Sequence, residues 1–224
     1  MSKTKKLKKL FEEWKEAHNN ESDSEYRSYN ITDIKKDSFC NDGIICEEKF
    51  DGLLFIGKES HIDGDRIAVA DDSFWLRKVA NNEKKPQLFG TRLTMIANAY
   101  FYGNYTDIDT NKKDNSVLSK TAILNLNKRG GKSSTSYNSL RIYTEKYSDK
   151  IIEEIKIINP KIIVVCGVKE LFDSLIKEKI NNTNIKYIYL KHPSYRRISH
   201  KNYLADFQNQ IENSRPPKSL CKSE

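Results

Sequence analysis

With 224 residues the chain is long enough to bury a core as a single domain, and a charged fraction of 31% implies a heavily solvated surface around it. Twelve Tyr, nine Phe and two Trp, together with compact Ile, Val and Leu runs, exclude a disordered chain. Lys and Arg outnumber Asp and Glu by 39 to 31, and the resulting charge of +8 with a pI near 9.1 suits a polyanion such as nucleic acid, although a Lys- and Asn-rich composition also arises without such a partner.

Residues 3–19 are predicted as an amphipathic helix, with Leu7, Leu10, Phe11 and Trp14 on one face. A polar break at 19–23 follows, then a mixed stretch over 24–50 with turn signals at Asn41-Asp42-Gly43 and Asp51-Gly52. Four short apolar runs read as strands: 53–57, 121–126, 162–167 and 185–190. Helical patterns lie between and after them, over 92–102, 148–158, 169–179 and 203–211. Ile151, Ile152, Ile155 and Ile158 recur at helical spacing before Asn159-Pro160 stops the third of the chain's long helices. Residues 111–116 and 130–136 read as loops. Buried strands alternating with helices predict an α/β fold, a three-layer α/β/α arrangement on a central four-stranded parallel sheet. The expected organisation is an N-terminal extension over 1–50 packed on the domain, an α/β domain over 51–212, and a flexible tail over 213–224.

The four cysteines, Cys40, Cys46, Cys166 and Cys221, show no C-x-x-C spacing, so neither a disulfide framework nor a zinc site is expected. Cys166 falls inside an apolar run and reads as a core residue. No run reaches the ~20 apolar residues of a membrane span, and the basic start of the chain lacks the apolar region of a signal peptide. A cytoplasmic monomer with no membrane partner, metal or cofactor is the expectation.

In parallel sheets ligands bind beyond the carboxyl ends of the strands. The segments there are Gly57-Lys58-Glu59-Ser60-His61, then Asn125 with Asn127-Lys128-Arg129-Gly130-Gly131, then Gly167, then Lys191-His192-Pro193-Ser194-Tyr195-Arg196-Arg197. Topology therefore brings a carboxylate, an amide, a histidine and several cations to one edge.

In order and position these motifs resemble those of the uracil-DNA glycosylase superfamily over roughly residues 50–211. The matching segments are Leu53–Ser60, Ile123–Lys128, Ile151–Leu175 and His192–Ser194. Two features depart from that pattern. Ser60 stands where a Pro usually follows the acidic or amide position, and no cysteine follows Asn125 to hold an iron–sulfur cluster.

The resemblance implies a DNA partner, single- or double-stranded, and a base flipped out of the stack. Glu59 would orient water and support the sugar cation; it reads otherwise as a surface Glu beside Lys58. His192 would donate a hydrogen bond to the departing base, against the alternative of a loop histidine held by Pro193. Asn125 offers a donor and an acceptor to a base edge. Gly57 and Lys58 would complete the base-binding segment, and Phe74 or Phe89 would stack on the base, each with a core role as the competing reading. Ser194, Tyr195, Arg196 and Arg197 would grip the DNA backbone and fill the vacated stack, with Lys128, Arg129 and Lys132 adding phosphate contacts.

Gly131-Lys132-Ser133 is not a P-loop, because Leu126 occupies the position of its first Gly. The function expected is that of a DNA glycosylase hydrolysing the N-glycosidic bond of uracil or another modified base. The alternative is a non-catalytic nucleic-acid- or partner-binding module on the same fold, and a nucleotide-binding protein is a weaker third.

Overall fold

The computed structural model describes residues 1–29, 36–61, 72–103, 114–131, 136–180, 182 and 184–213, with backbone alone at 61 and 72–74. In chain order the elements are α1 (Lys3–Asn19), α2 (Asp23–Ser28), β1 (Gly43–Ile44), β2 (Leu53–His61), α3 (Asp72–Ala80), α4 (Leu88–Tyr102), a 3₁₀ segment (Asn115–Lys120), β3 (Thr121–Gly131), α5 (Tyr137–Lys146), α6 (Ser148–Ile158), β4 (Ile162–Cys166), α7 (Lys169–Leu175), a second 3₁₀ segment (Lys177–Ile180), β5 (Lys186–Leu190) and α8 (His200–Asn213).

The sheet order is β1-β3-β2-β4-β5. The four longer strands run parallel, as expected, but the sheet is mixed rather than purely parallel, because β1 joins β3 antiparallel. Gly43 pairs with Ile123 and Ile44 with Ala122, so the predicted Asn41-Asp42-Gly43 turn feeds a fifth strand. Gly43 permits this at φ +109°, a backbone state that L side chains rarely adopt.

Strand alternation divides the core into two clusters. Leu54, Ile56, Leu124, Leu126, Ile163 and Val165 face α1, α5, α6 and α7. Leu53, Phe55, Ile123, Ile162, Val164 and Ile188 face α3, α4 and α8. Helices thus cover both faces of the sheet in a three-layer α/β/α arrangement. Each fully buried aliphatic chain contributes about 1.5–3 kcal/mol relative to exposure.

Two helices illustrate the local logic. Helix α6 buries Ile151, Ile152, Ile155 and Ile158 and stops at Asn159, whose φ of 51° and N–H bond to the Ile155 carbonyl (2.8 Å) close the last turn before Pro160. Helix α1 buries Leu7, Leu10, Phe11 and Trp14. Its first N–H groups, on Lys3 and Thr4, donate to the Glu47 carboxylate at 2.6 and 2.9 Å, an anion at a helix N-terminus. Leu7, Phe11 and Trp14 belong to the same cluster as the sheet, so α1 is an integral cover of one sheet face.

Other boundaries moved. Helix α4 begins at Leu88 rather than 92, α8 spans His200–Asn213, and α7 ends at Leu175 before a 3₁₀ turn. Helices α2, α3 and α5 were not anticipated. Two strands run further than their apolar cores: β2 continues to His61 and β3 to Gly131. Residues 214–224, which hold Cys221 and nearly all of the predicted tail, lie outside the described residues, as do 111–113 of the predicted 111–116 loop and 132–135 of the predicted 130–136 loop, whose two glycines, Gly130 and Gly131, belong to β3. Cys166 is buried, as expected. Among the described residues no helix is long and apolar enough to cross a membrane.

Candidate functional site

The extensions of β2 and β3 carry the site. Successive strand residues alternate faces, so Phe55, Gly57 and Glu59 share the side that β3 lines with Ile123 and Asn125. The register pairs Gly57 with Asn125 and Glu59 with Asn127, then shifts before His61 meets Gly131. On this side a cavity of about 310 Å³ opens between the sheet and helices α3 and α4. Glu59, Ser60, Asn125, His192 and Ser194 supply its polar wall together with Gln87. Trp75, Leu76, Phe89 and Ile123 supply its apolar wall.

Glycines allow the functional side chains to sit where they do. The Asn125 side chain lies directly over Gly57, where a β-carbon would stand 2.7 Å from Oδ1. The Glu59 side chain lies over Gly131 in the same manner, with Oε1 at 2.5 Å from the position of a β-carbon. Gly167, at φ +75°, lets the His192 backbone approach closely, with its N atom 3.0 Å from a β-carbon placed there. Asn125 is 3% exposed, its N–H donates to Asp42 Oδ2 at 2.6 Å, and its Nδ2 is 3.5 Å from Ser60 Oγ.

The Ser194 N–H donates to Nδ1 of His192 at 3.2 Å. That bond requires a lone pair on Nδ1 and so assigns the proton of the neutral ring to Nε2. Burial, and then the charge of Lys58, lower the His192 pKa to about 4. The ring is therefore a neutral donor at physiological pH. Phe89 packs on it with centroids 5.8 Å apart.

The structure thus brings Glu59, Asn125, His192, Phe89 and Ser194 to one cavity. Tyr195, Arg196 and Arg197 are exposed on the turn beyond it. The Phe74 side chain and Lys132 lie outside the described residues. Ser60, Trp75 and Gln87 also line the cavity; sequence reasoning draws Phe74 and Phe89 from the 72–91 stretch but not Trp75 or Gln87, whose position depends on how α3 and α4 dock on the sheet.

Two expected DNA contacts are corrected. Lys128 and Arg129 are both 0% exposed and cannot reach a phosphate. Lys128 shares the face of Leu124 and Leu126 and points under α1, where its Nζ contacts Asp42 and, at 2.7 Å, Glu154. Burial alone would lower the Lys128 pKa, but the two carboxyls outweigh it and hold the ammonium charged. Burial and the Asp42 charge push Glu154 well above the usual carboxylate range, which favours its protonated form. Arg129 pairs with Glu21 at 2.7 Å and donates to the Lys36 carbonyl at 3.1 Å, with the rings of Tyr26, Tyr29 and Tyr143 around it. The N-terminal segment converts both cations into interior ion pairs.

In comparisons with known proteins, the chain matches no family model and no curated protein.

Proposed function

We propose that this chain is a DNA N-glycosylase acting on uracil or another modified base. The observation that carries the reading is the convergence on one aromatic-walled cavity of Glu59 from β2, Asn125 from β3 and His192 from the turn after β5, three strands that run parallel in one sheet.

In the reaction the C1′–N bond breaks and a C1′–O bond forms with water. The sugar acquires cationic character and the base leaves as an anion. Glu59 is the carboxylate available to orient the water, take its proton and stabilise the sugar. The His192 Nε2–H meets the negative charge that develops on a base oxygen, and a neutral imidazole does this without an ion pair in the ground state. Asn125, oriented by Gly57 and Ser60, presents its amide to the base edge, and Phe89 supplies a stacking face. The exposed Arg196 and Arg197 supply cations for phosphates.

A non-catalytic nucleic-acid-binding module is the second reading, favoured by Ser60 in the position usually taken by Pro in the superfamily that the sequence resembles.

The test is alkali-revealed strand cleavage of oligonucleotides carrying uracil, hypoxanthine or modified cytosines. Abasic product from the wild type, lost in folded His192→Ala and Glu59→Gln variants, supports the glycosylase. Full activity in both variants rejects the assignment of roles. Salt-sensitive DNA binding with no product on any substrate favours the binding module.

A further inference from the structure

The turn that carries His192 is held from beneath by one buried cation. Arg92, on α4 and 2% exposed, donates from Nη1 to the carbonyls of Pro193 (2.9 Å) and Tyr195 (2.8 Å) and from Nη2 to that of Ile198 (2.5 Å). The Tyr203 ring of α8 lies 4.7 Å from the guanidinium carbon, and its hydroxyl donates to the Lys191 carbonyl at 2.8 Å. Among the described residues no carboxylate pairs with Arg92; carbonyl dipoles and a π-face meet its charge instead. A planar fork of five N–H donors suits three carbonyls at once, which the point charge of a lysine does not.

We propose that Arg92 is a positioning residue that locks the 192–198 turn, coupling the geometry of His192 to the outward presentation of Tyr195, Arg196 and Arg197; the proposal rests on the glycosylase reading of the cavity. The peptide geometry supports the coupling. Among the described residues, which include this turn, the peptide bonds are trans, so a carbonyl aimed inward at Arg92 turns the next N–H outward. The Tyr195 carbonyl therefore sets the Arg196 N–H toward the solvent face where the Arg196 and Arg197 side chains already lie. Within the turn, the Tyr195 N–H donates to the His192 carbonyl at 2.9 Å, and the Ser194 N–H, opposite the Pro193 carbonyl that Arg92 holds, donates to the His192 ring. Helix α4 also supplies Phe89, which packs on that ring, so a single helix positions the stacking face and the turn together.

The experiment compares the wild-type full chain with Arg92→Gln, Arg92→Lys and Tyr203→Phe, each checked for folding by circular dichroism. Three readouts follow: native-state trypsin cleavage after Arg196 and Arg197, the ring-nitrogen NMR titration of His192, and kcat and KM on an oligonucleotide that the wild type cleaves. The expected result for Arg92→Gln is at least about tenfold faster cleavage at the turn, with the His192 midpoint moving from about 4 toward 6.5. A fall in kcat/KM of about 10²-fold, shared between kcat and KM, accompanies these changes, and Arg92→Lys recovers only part of it. If Arg92→Gln does not fold, the same shifts in Arg92→Lys and smaller ones in Tyr203→Phe support the proposal. Wild-type trypsin resistance and an unmoved His192 midpoint in folded Arg92 variants overturn it. Should the wild type cleave no substrate, the glycosylase reading fails, while proteolysis and the titration still decide the role of Arg92.

Discussion

Oδ1 of Asn125 lies 2.7 Å from the point where a β-carbon on Gly57 would stand, so the Asn125 amide, proposed to read the base, occupies space that only glycine leaves open. The obstacle to a larger residue is the tip of a side chain and not backbone, so Asn125 turns away before the strands separate. Gly57→Ala is expected to cost about 1–3 kcal/mol of stability, as overpacking does. The same change should lower kcat/KM by about 10²-fold through misplacement of the amide. Thermal unfolding alongside the cleavage assay checks both; wild-type kinetics in the variant would remove Asn125 from base recognition.

The second expectation separates interior cations from surface ones. Lys128→Met leaves Asp42 buried without its ammonium partner and is expected to destabilise the fold by about 3–5 kcal/mol. It should leave the salt dependence of DNA binding unaltered, because a fully buried Lys128 releases no counterion from a phosphate. Arg197→Gln should behave oppositely, with stability changed by less than about 0.5 kcal/mol and the logarithmic salt slope reduced by about 1. Denaturant titration and binding isotherms over a salt series measure the pair.

For the proposed reaction, the neutral His192 ring fixes the expected pH profile. Its pKa of about 4 lies below the ordinary 6.5, so the neutral donor persists as pH falls through 6 and 5. The His192 NMR titration should have its midpoint near 4, and kcat/KM should show no acid limb near 6.5. A limb at 6.5 that tracks the His192 titration would mean that the ring is solvated in the free protein.

His18 contributes to acid sensitivity. It is fully buried, with Nδ1 3.3 Å from the Ser38 carbonyl and Nε2 2.8 Å from the Tyr143 hydroxyl. Burial, and then the charge of Arg129, lower its pKa to about 3. The folded pKa is depressed, so the unfolded chain binds the proton first as pH falls. The stability contribution is complete above about 6.5 and is lost progressively down to about 3. A His18→Gln variant, which keeps a polar group near both partners, should be less stable at pH 7 but show a shallower decline between pH 6.5 and 4 in urea-denaturation series. A decline as steep as that of the wild type would assign the acid limb to other groups.

The sequence by itself determined the four parallel strands with helices between them, the burial of Ile151, Ile152, Ile155 and Ile158, and the edge of the sheet toward which Glu59, Asn125 and His192 lie. Each of these follows from periodicity along the chain, which a local reading detects. Only the tertiary structure decided the fate of Lys128 and Arg129. Both look like cations beyond a strand end, yet β3 continues through them, and α1 with Asp42, Glu154 and Glu21 encloses them. Their partners lie 86, 26 and 108 residues away along the chain, a separation that no local pattern encodes. The same holds for β1, whose two residues carry no strand signal and pair because β3 offers them an open edge. It holds also for Arg92, whose hydrogen bonds reach carbonyls about 100 residues distant that only the docking of α4 against the 192–198 turn brings within reach.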